Sequence, residues 1–231
     1  MDLLWPAIVQ WLHTVGLQVD AGAARATAQL DMPGLLALAA ALGWASGFRL
    51  YAVVFLVGGM GAAGWLVLPP GLQVLQHPAV LIVSGFMLLV EFFADKVPWL
   101  DSAWDALHTV IRVPAGALLA ASVFGADNAT MAVVAGLLGG SLSATALATK
   151  MTTRAAINTS PEPFSNWGLS FLEDGLVVAV VWLATQYPLW FGVALVIMLI
   201  ASALLLVLLF SFLRAVIGRV SSFLSGTAKV A

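Results

Sequence analysis

The segment from Leu189 to Phe212 is a run of largely aliphatic residues without a single charged side chain. A helix needs roughly 20 such residues to cross the hydrocarbon core of a bilayer. The rest of the chain has the same character, because 62% of its 231 residues are hydrophobic and only 9% are charged, with a mean hydropathy of +1.05. In lipid the backbone must satisfy its own hydrogen bonds, as a helix does. The sequence therefore predicts an all-α, polytopic integral membrane protein.

Apolar runs of similar length recur along the chain, and proline, glycine or charged residues separate them. We expect about six transmembrane helices in a domain covering residues 33–216, followed by a cytoplasmic tail at 217–231. Two sets of three helices suggest two inverted three-helix repeats, a plan found in secondary transporters. Gly43 and Gly47 have the GxxxG spacing that lets another helix approach closely. The expected spans are 34–61, 78–97, 102–124, 129–149, 165–185 and 189–212.

Residues 1–32 are expected to form an N-terminal interfacial, amphipathic segment. Its apolar part, 3–19, is short for a span and is interrupted by Pro6 and His13, whereas Trp5 and Trp11 are typical of the membrane interface. Whether 3–19 crosses the membrane is left open. Asp31, followed by an early proline, predicts the N-cap of the first long helix. The start lacks a basic region, which argues against a cleaved signal peptide.

Composition also excludes several functions. The chain has no cysteine, which rules out disulfides, thiolate catalysis and cysteine-bound metals. With a net charge of -2 and an apolar composition, the chain lacks the basic patch that nucleic-acid binding requires. No nucleotide-binding loop or haem attachment sequence is present, so no cofactor is expected.

The cations near the ends of the expected spans predict the orientation. With six spans and both termini in the cytoplasm, nearly all of them fall on the cytoplasmic side and the outer loops hold none, as the positive-inside rule requires. The cations on that side are Arg25, Lys96, Lys150, Arg154, Arg214, Arg219 and Lys229.

The stretch 90–116 concentrates charge in a chain that otherwise has little. Asp101, Asp105, His108 and Arg112 share one helix face at steps of four, three and four. Glu91 lies four residues before another acid in the preceding span. Two carboxylates and a histidine on one face raise the question of a divalent metal, which the sequence leaves open.

Charged residues inside the membrane are costly, at about 2.5 kcal/mol each on the mildest scales, and they commonly mark substrate or ion pathways. The alternative is that they pair only to lock helices together. Asp101 and Lys96 lie near the expected interface and could simply be solvated. The candidate residues for ion or substrate binding, or for a proton relay, are Arg49, Glu91, Asp95, Asp105, Arg112, Lys150, Arg154, Asn166, Glu173 and Asp174.

Four elements of the sequence, GFRLYA at 47–52, EFFADKVPWLDSAWDALHTVIRVPAGA at 91–117, ATKMTTRAAINTSPEPFSN at 148–166 and LSFLEDGL at 169–176, resemble the bacterial membrane family catalogued as domain of unknown function 4126. The resemblance covers about residues 34–210. It implies a polytopic helical fold in a bacterial cytoplasmic (inner) membrane and points to the polar motifs without naming a substrate. The matching polar positions add Lys96, Asp101 and Glu162 to the candidates above.

Three functions compete at this stage. The first is a small secondary transporter, coupled to a cation or a proton, with a charged cavity facing the cytoplasm. The second is a structural or accessory membrane subunit whose polar core is paired. The third is a membrane-embedded enzyme acting on a lipid phosphate, with an aspartate or His108 as base. The expected partners are the lipid bilayer and a small ion, anionic small molecule or lipid, and a homo-oligomer is left open.

Overall fold

The structure of the protein is a computed structural model, which describes residues 30–97, 99–159 and 164–224. These residues form α-helices joined by short loops and two 3-10 helices, Pro70–Gln76 and Ala126–Asn128, and contain no strand. The all-α prediction is confirmed. The α-helices are α1 (Met32–Ala62), α2 (Pro78–Ala94), α3 (Leu100–Ser122), α4 (Ala129–Ile157), α5 (Phe164–Gln186) and α6 (Pro188–Leu224).

Several helices are long and apolar enough to cross a membrane. Within the described residues, α1, α4, α5 and Pro188–Arg219 of α6 meet both criteria. A fifth span is obtained if Pro70–Gln76 and α2, which meet at a bend of 68°, count as one. The charges of α3 lower its hydropathy below that of a typical span. The chain is thus a multi-pass membrane protein, whereas the count of six spans and the inverted repeat stay predictions.

The ends of the helices follow local sequence signals. The Asp31 side chain accepts a hydrogen bond from the Gly34 N–H at 2.9 Å, which confirms the predicted N-cap. Helix α4 continues past the expected end at 149, so Lys150 and Arg154 lie within it. Helix α6 likewise extends past 217, the predicted start of the tail. Residues 1–29 of the interfacial segment predicted at 1–32 lie outside the described residues.

Helix α1 is the centre of the bundle. It contacts each of the other five α-helices and is buried along most of its length. Small residues allow this, because a Cβ added at Gly43 would lie 2.5 Å from Gly139 Cα, and one at Gly47 would lie 2.2 Å from the Ser143 carbonyl oxygen. The GxxxG prediction is therefore confirmed, and α4 is the helix that packs against it.

Helix α6 is the most peripheral helix of the bundle. Its large apolar side chains, such as Leu204, Val207 and Phe210, are about two-thirds exposed. A surface of this kind suits contact with lipid rather than water. The charged residues described below lie on the other helices, away from this surface.

The close contact between α1 and α4 predicts the effect of a single added methyl group. Replacing Gly43 with Ala should lower the free energy of unfolding by about 1–3 kcal/mol, because the backbones must move apart. Thermal unfolding of the purified protein in detergent measures this change. Gly59→Ala, in the same helix but with no atom within 4 Å of its added Cβ, is the matched control and should change little. Equal stability of both variants and the wild type would contradict the packing argument.

Candidate functional site

The predicted site residues converge on one place in the bundle. Nine of the ten are at most 1% exposed, and Asp174 is the exception, with 28% of its side chain exposed. Five helical segments contribute charged groups to a set that we call the buried charged cluster. Its members are Arg49 of α1, Glu91 and Asp95 at the end of α2, Asp101, Asp105 and Arg112 of α3, Lys150 and Arg154 of α4, and Glu173 of α5.

Asp95 is paired with three cations of the cluster. Its Oδ2 atom lies 3.1 Å from Arg49 Nη2, 3.2 Å from Lys150 Nζ and 3.3 Å from Arg154 Nη2. Asp95 follows the last residue of α2, and Arg154 Nη1 also donates to its carbonyl oxygen at 2.6 Å. A cation from α4 thus satisfies a carbonyl at the C-terminal end of α2, where intrahelical donors run out.

Glu173 of α5 contacts the same three cations as Asp95 does. Its Oε2 atom lies 2.9 Å from Arg154 Nη2, 3.6 Å from Lys150 Nζ and 3.8 Å from Arg49 Nε. The neighbouring Asp174 points elsewhere and contacts Arg49 Nε at 3.2 Å from the partly exposed edge of the cluster. Adjacent acids therefore have different surroundings, as their positions on a helix predict.

Arg112 joins two acids on neighbouring helices. Its Nη1 atom donates to Asp105 Oδ1 at 2.6 Å, and its Nη2 atom donates to Glu91 Oε1. Asp105 Oδ1 also lies 3.2 Å from Lys150 Nζ. Lys150 is thus the link between the Arg112 group and the group around Asp95.

Asp101, a candidate from the family resemblance, and two residues outside our candidates, Asn158 and Ser170, complete the network. Asp101 is fully buried, contrary to a solvated position, and accepts from Asn158 Nδ2 at 3.0 Å and 3.2 Å. Asn158 Oδ1 accepts from Asn166 at 2.8 Å, and Arg49 Nη2 donates to Ser170 Oγ at 2.8 Å. Spacing could have found them, because Asn158 follows Arg154 by four residues and Ser170 follows Asn166 by four.

Helix α1 is broken inside the cluster. Arg49 has backbone angles of φ -146° and ψ 79°, which are not helical, although the helix continues on both sides. The Phe48 carbonyl, immediately before the break, accepts a hydrogen bond from Lys150 Nζ at 3.1 Å. Irregular backbone at membrane depth is tolerated where protein groups take over the missing bonds.

The charges of the cluster do not balance. Among the residues that the structure describes, five carboxylates and four cations are at most 1% exposed. Each cation lies within 4.0 Å of at least two carboxylates, but four carboxylate oxygens have no hydrogen-bond partner in this part of the chain. These oxygens are Glu91 Oε2, Asp95 Oδ1, Asp105 Oδ2 and Glu173 Oε1.

His108 and Lys96 lie outside these ion pairs. The His108 ring stacks on Trp104 at a centroid distance of 4.1 Å, and its Nδ1 atom lies 2.9 Å from the Trp104 carbonyl oxygen. Lys96 Nζ lies over the Phe92 ring, a cation–π arrangement. In the described ranges no group of three or more His, Asp or Glu side chains has a geometry that could hold a metal ion.

One cavity reaches the cluster from the side. It has a volume of about 200 Å³ and lies among α1, α4, α5 and α6. Its wall is mainly apolar, with Trp44, Met198 and Leu205 among its residues, but Lys150 and Glu173 also line it. The charged side chains themselves are closed off from solvent rather than facing an open polar cavity.

Comparison with known proteins places these residues within one family. No curated protein and no solved structure matches the chain. The model of a protein family described as "Domain of unknown function (DUF4126)" matches residues 36–208, which include every member of the buried charged cluster. With three-quarters of its length matched, the chain belongs to the DUF4126 family.

Proposed function

We propose that this protein is a small secondary transporter, coupled to a proton or another cation, whose central site is the buried charged cluster. The observation that carries the proposal is the break in α1 at Arg49, in the middle of the buried charges. Discontinuous helices of this kind form the substrate and ion sites of many transporters, where freed carbonyls and charged groups replace water. A purely structural ion pair needs no such interruption of the helix.

The unequal number of charges supports coupling to a cation. Five buried carboxylates facing four buried cations in the described residues leave a net excess of one negative charge. An unpaired charge in a low-dielectric interior is unstable unless it binds a cation or takes up a proton. The cluster therefore favours one bound positive charge in the conformation seen here.

The helix packing suits movement of one group of helices past another. Helices α1 and α4 meet at backbone distance through Gly43, Gly47 and Gly139, without large side chains between them. The burial of the charged groups corresponds to a closed conformation. In the proposed cycle the cluster opens toward the cytoplasm, with six spans and both termini on the cytoplasmic side of a bacterial inner membrane.

A structural or accessory subunit is the second candidate function. It is favoured by the pairing of every buried cation in the described residues with carboxylates from other helices. Such a network fixes the relative positions of five helical segments. Breaking a buried pair by removing one partner is strongly destabilising, which makes this candidate testable.

The enzyme hypothesis receives less support, and we propose that the protein is not an enzyme. His108, the histidine considered as a base, contacts a backbone carbonyl and two aromatic rings rather than a carboxylate that would orient it. The Ser170 hydroxyl, inside the cluster, contacts the Arg49 guanidinium, which cannot act as a base to activate a nucleophile.

Neutralising Arg49 should abolish transport without preventing folding. In proteoliposomes, Arg49→Gln should abolish ion-coupled flux while the protein still inserts and unfolds cooperatively. Candidate substrates come from a screen of thermal stability in detergent against mono- and divalent cations, phosphate and polyprenyl or phospholipid phosphates. Arg214→Gln, an exposed arginine on α6, is the matched control and should keep wild-type flux. If no solute stabilises the wild type and Arg49→Gln only melts early, the transporter proposal is wrong.

Neutralising Asp95 tests the structural contribution of the network. Asp95→Asn removes one of the two acids that Arg49, Lys150 and Arg154 share and should lower the free energy of unfolding by about 3–5 kcal/mol. Asp174→Asn is the control, because Asp174 is partly exposed and contacts one cation in the described residues, so its effect should be small. Thermal unfolding in detergent gives both values. Similar stability of the two variants would contradict a stabilising network centred on Asp95.

A further inference from the structure

The excess negative charge of the buried charged cluster can be assigned to one residue. The assignment follows from counting the cations that each carboxylate contacts within the described part of the chain. Asp95 and Glu173 each contact Arg49, Lys150 and Arg154. An acid with three cationic neighbours is strongly held in its ionised form.

The other three acids differ in the number of stabilising groups that they contact. Asp105 contacts both Arg112 and Lys150. Asp101 contacts Arg154 and also accepts hydrogen bonds from the side chain of Asn158 and the N–H of Ser102. Both acids therefore have at least two stabilising donors.

Glu91 has the weakest stabilisation as an anion. Among the described side chains its partner is Arg112, which it shares with Asp105. Its Oε1 atom accepts from Arg112 Nη2, whereas its Oε2 atom is buried without a hydrogen-bond partner. One guanidinium between two buried carboxylates compensates one of them, and the second is relieved by taking up a proton.

The groups around Glu91 are consistent with a shared proton site. Helix α1 places Tyr51 and Arg49 near it, and α4 contributes Lys150. Asp95 lies one turn away on the same helix end, and α3 provides Asp105 and Arg112, with His108 one turn from each. Arg112, the closest cation, also pairs with Asp105. Asp95 places a further negative charge near Glu91.

We infer that Glu91 is a neutral carboxylic acid in this conformation, protonated at Oε2, and that it is the site at which the coupling proton binds. Protonation forms an O–H bond at the carboxylate and adds one positive charge, so four carboxylates then balance four cations with no net charge. Release of that proton to water restores the carboxylate and the excess charge. As a coupling site this residue rests on the proposed transport function, whereas its protonation is measurable without transport.

A proton fits the site better than a metal ion does. In the residues that the structure covers, no three acidic or histidine side chains are arranged to hold a metal. A sodium- or calcium-sized ion needs several converging oxygen ligands. A proton needs one acceptor oxygen, which Glu91 Oε2 provides.

Infrared spectroscopy of the full protein in lipid tests the inference directly. At neutral pH the wild type should show a C=O stretching band of a protonated carboxylic acid that moves to lower frequency in deuterated water. Glu91→Gln should lose this band completely, and Asp174→Asn, a partly exposed acid outside the cluster, is the control and should keep it. A band that survives in Glu91→Gln, or that is absent from the wild type, would overturn the assignment.

Isotope labelling tests the assignment even if a variant fails to fold. The sequence contains glutamate only at positions 91, 162 and 173. Labelling the wild type with 13C-glutamate should shift the band, and a band unmoved by this label belongs to an aspartate and contradicts the inference. Proton-coupled flux is measured separately in liposomes. A band assigned to Glu91 together with no flux for any solute would refute the transport function, whereas the protonation of Glu91 would still be supported.

Discussion

The high free energy of an isolated charge in a low-dielectric interior is the constraint on which the rest of this structure depends. The chain places nine charged side chains beyond the reach of solvent in the described residues, and each must find groups of opposite sign. No single helix can supply them, because the cations lie on α1, α3 and α4 and the acids on α2, α3 and α5. Electrostatics therefore dictates which helices must come together, and apolar packing fills the space around them.

The small residues of α1 and α4 make that convergence feasible. Lys150 can reach Phe48, Asp95 and Asp105 only because the two helices touch at Gly43 and Gly47 without intervening side chains. The irregular backbone at Arg49 lies next to this contact. Close packing and charge pairing are thus parts of one arrangement, and a change in either alters the other.

The sequence predicted the residues of the site better than their pairing. Charged residues are conspicuous in an apolar chain, so Glu91, Asp95 and Arg112 could be identified by composition alone. The partners could not, because Arg49 and Glu173 are distant in sequence and their contact depends on helix packing that no local pattern encodes. The burial of Asp101 could not be predicted for a different reason, since its place near a helix start resembles a solvated interface position.

The span count was harder to predict than the fold class. Hydropathy identifies α1, α4, α5 and α6, but α3 loses its apolar signature to the charges that it contributes to the cluster. The bend of 68° between Pro70–Gln76 and α2 is a feature of backbone geometry, which amino-acid composition does not reveal. The helix that contributes three charged residues to the cluster is therefore not recognised as a span by hydropathy.

The coordination of Lys150 has a consequence for how sequences of this family can diverge. Its ammonium group meets a backbone carbonyl and carboxylates from three different helices, in directions that a compact, rotating donor can satisfy. A planar guanidinium presents its donors in a fixed fork and is larger, so arginine is not an equivalent replacement. Among relatives we therefore expect lysine rather than arginine at this position.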